Sequence, residues 1–530
     1  MKGITCRLQW GIFLLACSGL FAAYVSALSV PGIGLAGDDG AYVVTGKALA
    51  EGRGYRIISQ PNEPAQTKYP VLFPALIACI WKLCPEFPAN ALALKLIAFC
   101  FCATWLFLIH ELVSEVLSEK GVACWISLFV AASPLTVFLS TAVLSDIPFA
   151  ALTTASLIWL LRTEATGNRR HAMVAALFAS LAFHTRTAGI ALLLAGMIAL
   201  VLKGRRAAAI GFFVVAASLC APWFVWLALN KGAGVINAYS SWVPYYRSWN
   251  VVFAFSLPEK LSVIGDNLTY LALNPISILG LQLTGPAALV SSLASLLIVI
   301  GLFSGIRHQL NVIHVFVLVY CLILILWASP PFRFLTVVAP FAFVFGLRGL
   351  RAVAGKHRGA ITALAVGCLL CGFGTGLIHQ AKAAGDSGVM NAWGLNIAPQ
   401  RWDDFNLAMN EIRRETRPGD LLAGKIDTAL YLFTGRQAIP CFPVDPMDIY
   451  RPVQKADNVS SFAALLTASN IDYLVESPPT IQRYANLVSS LRSNYPEMIG
   501  AERAVAAGYR LTRVKIPVGM KKSVWFSSYQ

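Results

Sequence analysis

Long apolar runs broken by short polar punctuation fill the first 380 residues of the chain. Runs near 8–28, 90–112, 121–141, 146–162, 171–185, 187–203, 207–229, 286–305, 311–329, 333–350 and 359–379 predict about eleven membrane-spanning helices. Each approaches the roughly 20 apolar residues that a span requires. The first run follows Lys2 and Arg7 and ends near Ala27, in the manner of a secretory signal. With so many spans behind it, it is expected to stay as an uncleaved first helix.

After residue 380 the pattern changes. "RWDDFNLAMNEIRRETRPGDLL" predicts a helix, a turn and the start of a strand. "ALYLFTGRQAIP", "IDYLVES" and "GYRLTRVKIP" predict strands, and "SSFAALLTAS" and "QRYANLVSSLRSNYP" predict helices. Alternation of this kind predicts a small α/β domain. The expected organisation is therefore a transmembrane unit, 1–380, with larger loops at 29–89 and 230–285, and a C-terminal unit, 381–530.

Composition agrees with a polytopic membrane protein. Of 530 residues, 57% are hydrophobic and only 13% charged, about half the charge of an ordinary soluble protein. The net charge of +16 does not indicate nucleic acid, because much of it sits in short loops between apolar runs. With the N-terminus in the cytoplasm, the inside loops hold Lys120; Arg162, Arg169 and Arg170; Lys203, Arg205 and Arg206; Arg307; and Arg348, Arg351, Lys356 and Arg358. The short outside turns hold only Arg186 and Arg333. One orientation thus satisfies every short loop, and it places 29–89, 230–285 and everything after 380 outside. Most of the twelve cysteines lie in the apolar runs and read as small apolar residues, including the Cys368-x-x-Cys371 pair. Cys79 and Cys84 could pair in an oxidising compartment, though free thiols are the favoured reading. The sequons at Asn267 and Asn458 carry no weight without a known host.

The first outer loop carries the candidate chemistry. Asp38 and Asp39 open a short stretch whose apolar positions Ala41, Val44, Ala48 and Leu49 predict an interfacial helix, ended by Gly52 and Gly54. Asp38 could simply cap this helix. Lys68 stands between a polar loop and an apolar helix that Pro70 can start; on its own it could be a snorkelling cation. Together, a carboxylate pair and a lysine at the membrane boundary suit a substrate with a lipid tail and a charged head.

Here the sequence resembles GT-C fold glycosyltransferases of the protein O-mannosyltransferase and lipid A aminoarabinose transferase type, glycosyltransferase family 39 and its bacterial relatives. The likeness is carried by "DDGAY", "ALAEGRGY" and "KYPVLFPALIA", and extends through "LSDIPF", "HTRTAGIALLLAG" and "PPFRFLTVVAPFAFVFG". Tyr42 follows the pair's second acid by three positions, and Lys68-Tyr69-Pro70 supplies the Lys-x-Pro. The second acid is Asp39 where relatives usually have Glu. The resemblance implies a polyprenyl-phosphate sugar donor, an acceptor that is a lipid, glycan or protein, and inversion at the anomeric carbon. It implies Asp38 as base, Asp39 orienting the loop or touching the acceptor, and a bacterial plasma-membrane location. Some relatives hold a divalent metal near the acids, but no ligand spacing here commits the chain to one.

Other outer-face charges are candidates for the same site. Asp146 in "LSDIPF" reads equally as a helix cap and as a second functional acid. Arg186 is a cation in an apolar stretch, which is costly without a purpose. Arg333 follows a Pro-Pro turn. Lys68, Arg186 and Arg333 come from separate segments and are expected to converge on one phosphate. His184 is read as a packed polar residue. Tyr239, Trp242, Tyr245, Tyr246 and Trp249 read first as an interfacial belt, and otherwise as a stacking surface with Arg247 as a donor. A transporter or flippase is the competing class. It would bury polar groups near mid-membrane in interrupted helices, whereas these charges cluster at the outer boundary.

Overall fold

Helices built from the apolar runs form the first and larger part of the chain. The computed structural model describes residues 18–28, 32–34, 38–231, 245, 249, 252–253, 255–273, 287–327, 331, 333–354, 402–440, 459–478 and 482–516. The expected span 359–379, Cys368 and Cys371, Tyr239, Trp242, Tyr246, Arg247, Lys356, Arg358 and Asn458 lie outside the described residues. Every other expected span contains helix: α1 Ser18–Leu28, then, after α2 Asp38–Ala50 and α3 Leu72–Leu83 in the first long loop, α4 Ala91–Leu117, α5 Lys120–Ala132, α6 Pro134–Thr141, α7 Asp146–Thr166, α8 Arg169–Thr185, α9 Ile190–Leu202 and α10 Arg206–Leu229. There follow α11 Leu257–Leu273, α12 Ala287–Gln309, α13 Val312–Ile325 and, after a 3-10 turn at Arg333–Val338, α14 Ala339–Ala354.

Among the described residues four helices are long and apolar enough to cross a membrane: Ala91–Leu117, Arg206–Leu229, Ser292–Gln309 and Arg333–Ala354. The expected span at 121–141 contains two helices, α5 and α6, bent by 65° at their junction. Ser133 is extended there, and Pro134 opens the new helix. Proline has no N–H to continue a helical ladder but fits a first helical position.

Small residues set the close contacts. Ala172, Ala175, Ala176, Ala179 and Ala182 form a buried face of α8, which packs on α7 and α10. Backbones approach closely across such faces, and the Ser156 hydroxyl reaches the Ala175 carbonyl at 2.9 Å. A Cβ on Gly301 would overlap the Phe345 carbonyl where α12 crosses α14. The sequon residue Asn267 is fully buried. Its amide donates to the Ile325 and Trp327 carbonyls at 3.0 and 2.8 Å, so it ties α11 to the end of α13. Cys79 and Cys84 are both free.

Helix α2 has the expected start and end, with Gly52 at φ +73° just beyond it. It is not an interfacial helix with one exposed face. Nine of its 13 residues are buried, on all sides, because a second body of structure covers the face turned away from the membrane helices.

That body spans residues 402–516. Its five strands are β1 Leu422–Gly424, β2 Ala438–Pro440, β3 Tyr473–Glu476, β4 Ile499–Ala506 and β5 Tyr509–Val514, in the order β2-β1-β3-β5-β4. β1 runs parallel to β2 and β3, and β5 is antiparallel to β3 and β4. On one face, α17 Val459–Ala468 and α18 Gln482–Asn494 bury Leu466, Leu487 and Leu491 against Leu474. On the other, α15 Trp402–Glu415 and α16 Asp427–Thr434 bury Phe405, Ile412 and Leu430 against Leu511. The first half of the stretch 429–440, expected as a strand, is α16. Its Ala429, Leu430 and Thr434 are buried at helical spacing, and Gly435 at φ +73° ends it, leaving only β2 extended.

Candidate active site at the first long loop

Asp38 opens α2 with its carboxylate turned to two partners. The Tyr69 hydroxyl donates to Asp38 Oδ1 at 2.5 Å, and the Arg333 guanidinium pairs with Oδ2. Arg333 opens the 3-10 turn before α14, and its Nε is also 4.0 Å from Asp146 Oδ1. Asp146 is the first residue of α7, where the helix dipole favours an acid. Its Oδ2 pairs with Arg186 Nη1 at 2.9 Å. Arg186 follows α8 in extended backbone and is 8% exposed; Asp146 is 4% exposed. Asp146 thus does more than start a helix. It supplies the countercharge for a guanidinium that could not sit there alone.

Tyrosines and one serine hold this charge network in place. The hydroxyls of Tyr42 and Ser145 are 2.7 Å apart, and Arg186 donates to Ser145 at 3.3 Å. The Tyr42 and Tyr69 rings pack with centroids 4.8 Å apart. Both guanidinium carbons lie over the Phe334 ring, at 5.1 Å for Arg186 and 5.8 Å for Arg333. The Phe334 carbonyl is fixed by the Tyr320 hydroxyl at 2.8 Å.

Lys68 stands on the rim, its ammonium 5.1 Å from the Tyr69 ring centroid and 5.4 Å from that of Tyr245. Gln66 shapes the backbone beneath it. The Gln66 side-chain oxygen accepts from the Lys68 N–H at 2.8 Å, and the Gln66 carbonyl accepts from Trp226 at 2.8 Å. Burial of the ammonium, helped by the nearby Arg186 charge, lowers the Lys68 pKa from the usual lysine value to about 8. Asp39 faces elsewhere. Its Oδ2 accepts from the Gly34 N–H at 2.7 Å, and its charge acts on Lys95, a cation 1% exposed near the start of α4.

Seven of the eight residues singled out from sequence therefore meet in one place: Asp38, Tyr42, Lys68, Tyr69, Asp146, Arg186 and Arg333. Asp39 backs the loop from behind. Two contributors were not singled out. Ser145 has only its position beside Asp146 to mark it, and Tyr245 reads first as part of the aromatic belt and otherwise as part of a stacking surface. Tyr245 continues the wall that starts at Tyr69, its ring 6.1 Å from Tyr69 and 5.7 Å from Trp327. His184 bonds the Leu219 carbonyl at 2.8 Å and stays outside the network. Among the described residues no group of three or more His, Cys, Asp and Glu side chains could hold a metal ion.

The site and the cationic helix ends stand at opposite ends of α7. Arg162 lies sixteen residues after Asp146, about 24 Å at 1.5 Å per residue. There it pairs with Glu111 at 2.6 Å and Glu115 at 2.8 Å.

No protein-family model matches the chain, and no curated protein matches it in sequence. Solved structures do match in fold. ArnT from Cupriavidus metallidurans in the apo state is 12% identical, with a TM-score of 0.54, over 96% of this chain and 98% of that one. The archaeal oligosaccharyltransferase AglB from Archaeoglobus fulgidus, solved with an inhibitory peptide and a dolichol-phosphate, is 13% identical. Its TM-score is 0.53, over 96% of this chain and 76% of that one. The fold is therefore the GT-C membrane fold shared by these glycosyltransferases.

Proposed function

We propose that the chain is an inverting glycosyltransferase that moves a sugar from a polyprenyl-phosphate donor to a lipid, glycan or protein acceptor at the outer face of a membrane. The observation that carries this reading is Asp38 itself: a carboxylate aligned by Tyr69 and in contact with Arg333, with Arg186 and Lys68 close by. Inverting transfer needs a proton acceptor for the attacking hydroxyl or amine and cations for the departing phosphate. The acceptor heteroatom forms a bond to the anomeric carbon as the bond from that carbon to the phosphate oxygen breaks. The proton goes to Asp38, and the lipid phosphate leaves with the electron pair.

Arg333 links the two tasks. A carboxylate paired with a guanidinium is a weaker proton acceptor than one freed from it. A donor phosphate competes with Asp38 for Arg333, so seating the donor releases the base. Arg186, held by Asp146 and Ser145, keeps its position throughout. AglB, a protein of the same fold, was solved with a dolichol-phosphate, which supports a lipid phosphate as the ligand class here. Placement of the charges at helix ends supports transfer over transport. The test is release of polyprenyl phosphate from a polyprenyl-phosphate sugar in nanodiscs. Release that requires an acceptor supports a transferase, and a protein that moves the donor across the bilayer without cleaving it is a transporter.

Lys68 gives the reaction a pH limit. With a pKa of about 8 it is charged below that value and loses its charge as the pH rises through it. The pH dependence of kcat/KM reports groups of the free enzyme, so kcat/KM for the donor should fall as the pH passes about 8. Lys68→Arg should move that fall to higher pH, because guanidinium stays charged. An unchanged profile in the arginine variant removes Lys68 from donor recognition.

The same reading places the N-terminus and residues 113–120, 162–171, 203–206 and 305–311 in the cytoplasm, and residues 29–89 and 380–530 outside, with eleven spans in all. Asn168 is exposed at the start of α8. In a cysteine-depleted protein, Asn168→Cys should react with a membrane-impermeant thiol reagent only after the membrane is opened. Labelling in intact cells reverses the orientation.

A further inference from the structure

The helix that carries Asp38 is held from above as well as from below. α16 lies across α2, and the two backbones meet at residues too small to separate them. A Cβ on Gly40 would overlap Thr428 Oγ1 and stand 2.6 Å from Thr428 Cβ. A Cβ on Gly34, which is at φ +85°, would stand 2.9 Å from Ala429 Cβ. Gly34 is also the residue whose N–H holds Asp39. Further along, Tyr431 and Leu432 of α16 pack on Val44, Ala48 and Ile58. Strand β2 then extends the contact into the loop. The Ala438 N–H donates to the Ser59 carbonyl at 2.8 Å, and the Gln437 side chain donates to the Gln60 carbonyl at 3.1 Å. Phe433 closes the far side against Phe87, with ring centroids 4.9 Å apart.

We propose that the C-terminal body is a clamp on the acid helix, with Thr428 and Ala429 as positioning residues that set where Asp38 stands relative to the cations. The inference rests on the transferase reading for its kinetic consequence. Lys68, Arg186 and Arg333 belong to segments outside the α2–α16 contact, in the loop before α3, after α8 and before α14. A displaced α2 therefore moves the base while leaving most of the phosphate site where it was. Displacement of a reacting group by about 1 Å costs on the order of 10² in rate, and this loss should fall on turnover rather than on donor binding.

The test is Gly40→Ala, whose methyl group presses on Thr428, measured as donor-dependent polyprenyl-phosphate release. A fall in kcat on the order of 10²-fold, with the donor KM within about twofold, is the expected result. Adding Thr428→Gly, which removes the two nearest atoms the methyl group meets and leaves only the Gly34 Cα at 2.9 Å, should restore a large part of the rate. A folded Gly40→Ala protein with wild-type kcat overturns the proposal, as does a loss that Thr428→Gly leaves unrestored. Should Gly40→Ala fail to fold, Gln437→Leu removes the bonds to the Ile58 and Gln60 carbonyls and loosens the clamp while leaving Gly40 and Thr428 unchanged. It should lower kcat severalfold at unchanged donor KM, and an unchanged kcat overturns the proposal. Hydrogen exchange over residues 38–50 separates a failed clamp from a failed transferase reading, because it needs no turnover. Even if no donor is cleaved, exchange should quicken in Gly40→Ala and slow again with Thr428→Gly, and exchange equal to wild type counts against the clamp.

Discussion

Asp38→Asn is expected to lower turnover by about 10²–10⁴-fold, the usual cost of removing a general base, with donor binding nearly intact. Asparagine keeps the side-chain shape and an oxygen for the Tyr69 hydroxyl, but it does not take up the acceptor's proton. The substitution also separates catalysis from helix capping. Asn and Asp serve equally well as N-caps, so an Asp38 that only started α2 would tolerate the change. The carboxylate oxygens go to Tyr69 and Arg333, which already directs them to the site. Loss of the charge also leaves Arg333 without its Asp38 partner, so the donor KM should hold or fall slightly. The measurement is polyprenyl-phosphate release against donor concentration, with folding checked by gel filtration. Near wild-type turnover would move the base elsewhere. Asp146, the other carboxylate of the network, would then come before Asp39, which faces Gly34 and Lys95.

Much of the site was legible because its residues break local rules. Arg186 is a cation inside an apolar stretch, and Asp38 and Asp39 are adjacent acids at a membrane boundary. Such positions carry a cost that calls for a compensating partner, and the partners are other charges read from the sequence: Asp146 for Arg186 and Arg333 for Asp38. Helix ends were legible for a related reason. Gly52 and Gly435 have positive φ, a conformation that glycine adopts without strain. What local sequence did not carry was the identity of the second surface. The pattern of α2 reads as one apolar face because Gly40, Thr45 and Gly46 are small or polar residues that look like exposure. Gly40 is instead covered by Thr428 of α16, almost four hundred residues away, and Gly46 by Pro74 and Ile77 of α3. The missed strand β4 has the same explanation. In "IGAERAVA" the burial is largely confined to Val505, so β4 is fixed by pairing with β5 rather than by its own apolar alternation. For 429–440, the β-favouring residues outweighed the helical spacing of Ala429, Leu430 and Phe433.

The buried pair of Asp146 and Arg186 should separate stability from function. Each side chain is almost wholly enclosed, and the two meet at 2.9 Å. Removing one partner leaves the other charge without compensation in a poorly solvated place, which costs about 3–5 kcal/mol in buried pairs of soluble proteins. Asp146→Leu is therefore expected to lower the unfolding temperature in detergent sharply and to abolish turnover. Arg186→Met should do the same, with the carboxylate left near Arg333, whose Nε is 4.0 Å away, as its remaining cation. Exchanging both partners for apolar residues of similar volume is often neutral or stabilising, so the Asp146→Leu/Arg186→Met protein should recover most of the lost thermal stability. It should not recover activity, because the phosphate would then have lost a guanidinium that Ser145 and Asp146 hold ready for it. Thermal scanning and donor turnover on the same three preparations decide the matter. A double variant that is both stable and active would reduce the pair to a structural element and leave Lys68 and Arg333 as the cations of the site.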